Sequence, residues 1–116
     1  MRCCLALYLL DYRNTLDSVE DPISFLEALR EKHGGDCLIV VTSGSKVPGP
    51  LVDSADFFWK KPVTLGPLRE LYEGGMRSAV VSDDSELLAR AYCRSLLRIG
   101  FSVTQVDPGD LMTLLL

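Results

Sequence analysis

Four short stretches of the chain carry side chains able to do chemistry, and each follows an apolar run. They are Asp11, Thr42-Ser43-Gly44, Lys60-Lys61-Pro62 and Ser82-Asp83-Asp84. A carboxylate can attack phosphorus and form an acyl phosphate. Mg2+ takes one or two carboxylates together with phosphate oxygens. A hydroxyl and an ammonium can hold the phosphoryl oxygens that remain. The set therefore suits Mg2+-dependent phosphoryl transfer. Asp11 would be the nucleophile, hydroxyls of Thr42-Ser43 and an ammonium of Lys60-Lys61 would hold the phosphoryl group, and carboxylates among Asp11, Asp83 and Asp84 would hold the metal. Singly, each stretch has a plainer explanation: an Asp after a strand often forms a turn, and Thr-Ser-Gly is common in turns. Their shared position at the ends of four apolar runs is what argues for one site.

Elements of two kinds must position these residues. Cys4–Leu10, Cys37–Val41, Asp56–Trp59, Ser78–Val81 and Phe101–Val106 read as strands. Runs such as Leu38-Ile39-Val40-Val41 lack polar alternation, which marks strands buried on both faces of a parallel sheet. Asp21-Pro22 supplies an N-cap and a first-turn proline for a helix ending near Lys32 at Gly34-Gly35. Thr64 starts a helix that reaches Tyr72. Leu88, Tyr92, Leu96 and Ile99 lie on one face of a helix over Ser85–Ile99, closed by Gly100. Asp107-Pro108 opens a last helix. Gly44–Pro50, dense in Gly and Pro, is expected to be irregular. The fold class is α/β: a three-layer, Rossmann-like sandwich with a five-stranded parallel sheet. Ligands of such sheets bind outside the carboxyl ends of the strands.

The 116 residues make a single domain, 1–116, and are 47% hydrophobic and 24% charged, as in a globular protein. Twelve Lys and Arg stand against sixteen Asp and Glu, for a net charge of −4, and the basic residues are scattered. A nucleic-acid partner, which needs clustered cations, is not expected. No apolar run approaches the length of a membrane span, and the apolar start lacks a signal-peptide cleavage pattern, so the expected location is cytoplasmic. Cys3, Cys4, Cys37 and Cys93 form no CxxC pair, and His33 lies in a polar turn. Buried thiols are expected rather than a zinc site.

The chain resembles two known families. Leu9-Leu10-Asp11-Tyr12-Arg13 looks like the phosphoacceptor strand of response-regulator receiver domains. Val40-Val41-Thr42 looks like the receiver's switch Thr strand, and Ala55–Pro62 like its Lys-Pro strand, with Lys61 as the lysine. Met76–Asp84 then looks like a receiver's beginning, so the order is circularly permuted about Gly74-Gly75. Asp11-Tyr12-Arg13-Asn14-Thr15-Leu16 is also similar to the first motif of the haloacid dehalogenase (HAD) superfamily, in a minimal capless form. Thr42-Ser43-Gly44, Lys61-Pro62 and Ser82-Asp83-Asp84 fit that superfamily's later motifs without permutation.

Both resemblances imply strand order 5-4-1-2-3, Mg2+, and a phosphoryl group accepted on Asp11. The receiver implies a signalling domain with a phosphodonor or partner protein; the short interval from Thr42 to Lys61 favours it. The HAD resemblance implies a phosphotransferase or hydrolase with the same nucleophile. Arg13 stands where its phosphatases carry a second Asp, so efficient phosphatase turnover is not expected. In the receiver alignment Ser82 takes the first acidic position, leaving Asp83 as metal ligand and Asp84 as a substitute. A degenerate protein-binding module is the remaining alternative. Leu111–Leu116 is apolar and expected to pack on its own sheet, with homodimerisation through it as the other outcome.

Overall fold

The computed structural model describes residues 6–61 and 63–116. Cys3, Cys4 and Pro62 lie outside the described residues, as does the start of the expected first strand. Strand β1 (Ala6–Asp11) is apolar on both faces. Leu7 and Leu9 enter one core, and Tyr8 and Leu10 enter the other. Strand β2 (Cys37–Ser43) divides in the same way, with Val40 on the first side and Ile39 and Val41 on the second. Side chains alternate across a strand, so burial on both faces needs helices above and below the sheet.

The remaining strands are β3 (Phe57–Lys60), β4 (Ser78–Ser82) and β5 (Ser102–Gln105). All pairings are parallel, and the sheet order is β3-β2-β1-β4-β5, the order that both family resemblances imply. The chain winds outward from β1 to β3, then returns to the other side of β1 through β4. Between β1 and β4 the direction of winding reverses, and ligands of open α/β sheets bind at such a point. β3 and β5 are short edge strands, less buried than the three between them.

Helix α1 (Pro22–Lys32) starts at Asp21, whose Oδ1 accepts the Ser24 N–H at 3.2 Å. It buries Phe25, Leu26 and Leu29 on one core. Helix α3 (Leu65–Glu73) and helix α4 (Glu86–Ile99) cover the other face; α4 contributes Ala89, Tyr92 and Leu96. Ser85 Oγ caps α4 by accepting the Leu88 N–H at 3.3 Å. Gly100 ends it at φ +130°, and a Cβ there would lie 2.7 Å from Tyr72 Oη, so both backbone and space require glycine.

Two elements differ from expectation. A six-residue helix, α2 (Gly49–Ser54), begins inside the stretch expected to be irregular. Pro48 is its N-cap, and Gly49 and Pro50 occupy the first turn, where a missing N–H costs nothing. Leu51 then plugs the core beside α1. The interval between Thr42 and Lys61, whose shortness favoured the receiver resemblance, thus holds a helix. The C-terminal segment Pro108–Leu115 is 3-10 rather than α. Leu111 is fully buried, while Met112 and Leu116 are exposed. No helix among the described residues is long and apolar enough to cross a membrane.

Candidate functional site

Strand register aligns the residues singled out above. Asp11 pairs with Thr42, Thr42 with Trp59, Ser43 with Lys60, and Leu10 with Ser82. Asp11, Thr42, Ser43, Ser82 and Asp83 are all buried at the carboxyl edge of the sheet. Apolar strands end there in buried polar groups, which need hydrogen-bond partners.

Each functional side chain is set by its local backbone. The Tyr12 N–H donates to the Thr42 carbonyl at 2.9 Å, extending the β1–β2 ladder past Asp11. The chain then makes a single helical turn: the Thr15 and Asp17 N–H groups both donate to the Tyr12 carbonyl, and a 3-10 turn follows at Leu16–Ser18. Leu16 is buried and anchors that turn in the core. The Lys61 N–H donates to the Ser43 carbonyl at 3.0 Å, which fixes where the lysine leaves β3. After β4, Asp83 Oδ1 accepts the Ser85 N–H at 2.9 Å, so this carboxylate closes the turn into α4.

Four side chains from three strand ends meet. Lys61 Nζ lies 2.7 Å from Asp11 Oδ1 and 2.8 Å from Asp83 Oδ2. Asp11, Asp83 and Asp84 each offer a carboxylate oxygen, all within 4.8 Å of one another. Asn14 Nδ2 donates to Asp84 Oδ2 at 3.1 Å. Asp11 Oδ2 is buried with no hydrogen-bond partner among the described residues. Ser43 Oγ accepts the Ser45 N–H at 3.1 Å, which shapes the loop after β2. Thr42 is placed beside Asp11 by register alone.

The electrostatics follow from this crowding. Burial pushes the Asp11 carboxyl up to about 6; Lys61 opposes the shift, while Asp84 and Asp83 reinforce it. Burial pulls the Lys61 ammonium down, but its bonds to Asp11 and Asp83 outweigh that and leave its pKa raised. Asp84 is lowered, first by the Asn14 hydrogen bond.

The three carboxylates could hold a divalent cation such as Mg2+. Hard oxygen ligands suit that ion. The unpartnered Asp11 Oδ2 is a buried oxygen aimed at no protein donor. Asp11, Asp83 and Asp84 are the residues that would hold the ion.

Sequence reasoning placed Asp11, Lys61, Asp83 and Asp84 together, and the structure brings all four into one cluster. It missed the tie from Asn14 to Asp84, which spans 70 residues. It also read Tyr92 only as a core residue. Burial pushes the Tyr92 hydroxyl up, and the charges of Lys61 and Asp83 both act on it. The helical spacing that put Tyr92 on the core face carried no sign of where its hydroxyl ends. No protein-family model, curated protein or solved structure matches the chain.

Proposed function

We propose that the chain is a Mg2+-dependent phosphoacceptor that takes a phosphoryl group on Asp11. The observation that carries this reading is the unpartnered Oδ2 of Asp11, buried in a cluster of three carboxylates and one lysine. The Asp11 carboxylate attacks the phosphorus of a donor such as acetyl phosphate. A P–O bond to Asp11 forms while the P–O bond to the acetyl group breaks. Acetate leaves as a carboxylate and needs no proton. Mg2+ would neutralise phosphoryl oxygens beside the carboxylates and permit the approach of two anions.

The chain's own groups do the rest. Lys61 Nζ holds Asp11 Oδ1 and so fixes the orientation of the carboxylate. The same ammonium is placed to bind a phosphoryl oxygen as charge builds on it. Thr42, next to Asp11 in register, supports the role of a phosphoryl-binding hydroxyl. Hydrolysis of the acyl phosphate requires a group to take a proton from water. Arg13 occupies the position where a second Asp would serve, and an arginine stays protonated. The phosphorylated form is therefore long-lived, which suits a receiver-like signal passed from a phosphodonor more than rapid phosphatase turnover.

One local feature supports HAD-like ancestry for this site. A helical turn follows Asp11 directly, with Thr15 fully buried four residues after the carboxylate. No hairpin follows that turn among the described residues. The proposed chemistry is the same under either ancestry.

The test is an NMR titration with beryllofluoride, a mimic of the phosphoryl group. With Mg2+, amide signals of Asp11, Thr42 and Lys61 should shift together and saturate. Shifts that occur equally without Mg2+, or at none of the three, would refute the reading.

A further inference from the structure

We propose that Asn14 is a positioning residue that holds the Asp84 carboxylate toward the metal, an assignment that rests on the Mg2+ reading above. The three carboxylates are not held equally. Asp11 and Asp83 are buried, and Lys61 bridges them; Asp83 is fixed further by the Ser85 N–H. Asp84 is the exposed member of the cluster, so packing does not set its side chain. It stands within 4.8 Å of two other carboxylates. Like charges at that range repel, and an exposed side chain relieves repulsion by turning into water. Asn14 Nδ2, at 3.1 Å from Asp84 Oδ2, is the neutral donor opposing that turn.

The backbone of Asn14 is the second observation. Its φ is +60°, and it is the one non-glycine residue with positive φ among the described residues. Glycine adopts that conformation freely, and asparagine tolerates it better than most side chains. A turn that needed only the conformation would be met by glycine. Asparagine adds an amide, and that amide reaches Asp84. A neutral donor suits the task.

Removing the hydrogen-bond partner of a metal-ligating group typically weakens metal binding 10–100-fold. The Asn14 bond is exposed, which puts the expected loss near the low end, about tenfold. The measurement is Mn2+ binding to the full chain, read as free Mn2+ by electron paramagnetic resonance. Four proteins are compared: wild type, Asn14→Gly, Asp84→Ala and the double variant. Asn14→Gly keeps the turn and loses only the amide, so its metal-free melting should match wild type. Its Mn2+ affinity should fall about tenfold, and the double variant should bind no more weakly than Asp84→Ala. Wild-type affinity in Asn14→Gly would overturn the assignment. So would an equal weakening in the Asp84→Ala background, since Asn14 would then act elsewhere. A wild type that binds no Mn2+ would overturn the metal reading itself, and the inference with it.

Discussion

Asp11→Asn should stabilise the metal-free protein at neutral pH while abolishing its chemistry. In the fold the Asp11 carboxyl titrates at about 6, against 3.8 for its unperturbed value, with burial the main cause. Its side chain is 2% exposed, so solvent does little to screen the effect. A raised folded pKa means that the folded state binds the proton more tightly. That contribution is complete below about 3.8 and is lost as pH rises through about 6. A difference of about 2 units corresponds to roughly 3 kcal/mol. Asparagine has the same shape, carries no charge, and can still accept a hydrogen bond from Lys61. Some attraction to the ammonium is lost, so the net gain at about pH 8 should be roughly 1–3 kcal/mol. For a domain of this size that is a rise in Tm of about 4–12 °C. The assay is paired thermal melts of wild type and Asp11→Asn in chelator, at about pH 8 and about pH 4. The difference between the proteins isolates Asp11 from every other carboxylate. It should be large at the higher pH and should nearly vanish at the lower. A variant equal to or less stable than wild type at the higher pH would refute the reasoning, as would a difference that ignores pH.

Three other substitutions address the scaffold and the missing acid–base group. Gly100→Ala must hold alanine at φ +130° with its Cβ 2.7 Å from Tyr72 Oη, so urea denaturation should show a loss of at least about 1–3 kcal/mol. Leu96→Ala empties a fully buried position on α4 and should cost about 2–5 kcal/mol in the same assay. Arg13→Asp restores a group able to take a proton from water. The lifetime of the phosphorylated form, followed by intact mass after donor removal, should shorten by about 10²-fold or more; an unchanged lifetime would contradict the role given to that position.

The sheet was legible because its central strands carry apolar residues on both faces, a pattern that helices above and below must explain. The strand order came from the resemblance to two related families rather than from periodicity. Helix α2 was not legible: Pro48, Gly49 and Pro50 argue against a helix interior, yet they fit a first turn, and only Leu51 marks the core side. The 3-10 form of Pro108–Leu115 was hidden for a related reason, since the apolar pattern there reports burial and not the hydrogen-bonding period. Within the site, the stretches holding Asp11, Lys61, Asp83 and Asp84 were found because strand ends converge in a parallel sheet, and the family resemblances singled out Lys61 and the acidic pair. The tie from Asn14 to Asp84 was not, because nothing local in the sequence links two loops 70 residues apart. The one available signal was an asparagine in a turn directly after the carboxylate.

Intact mass after incubation with acetyl phosphate and Mg2+ tests the central claim most directly. Wild type should gain one phosphoryl group. The gain should disappear when Mg2+ is chelated and in Asp11→Asn, whose amide is not a competent nucleophile. Peptide mapping should place the group on Asp11. A wild type that stays unmodified with donor and Mg2+ in excess would contradict the claim, as would labelling that persists in Asp11→Asn.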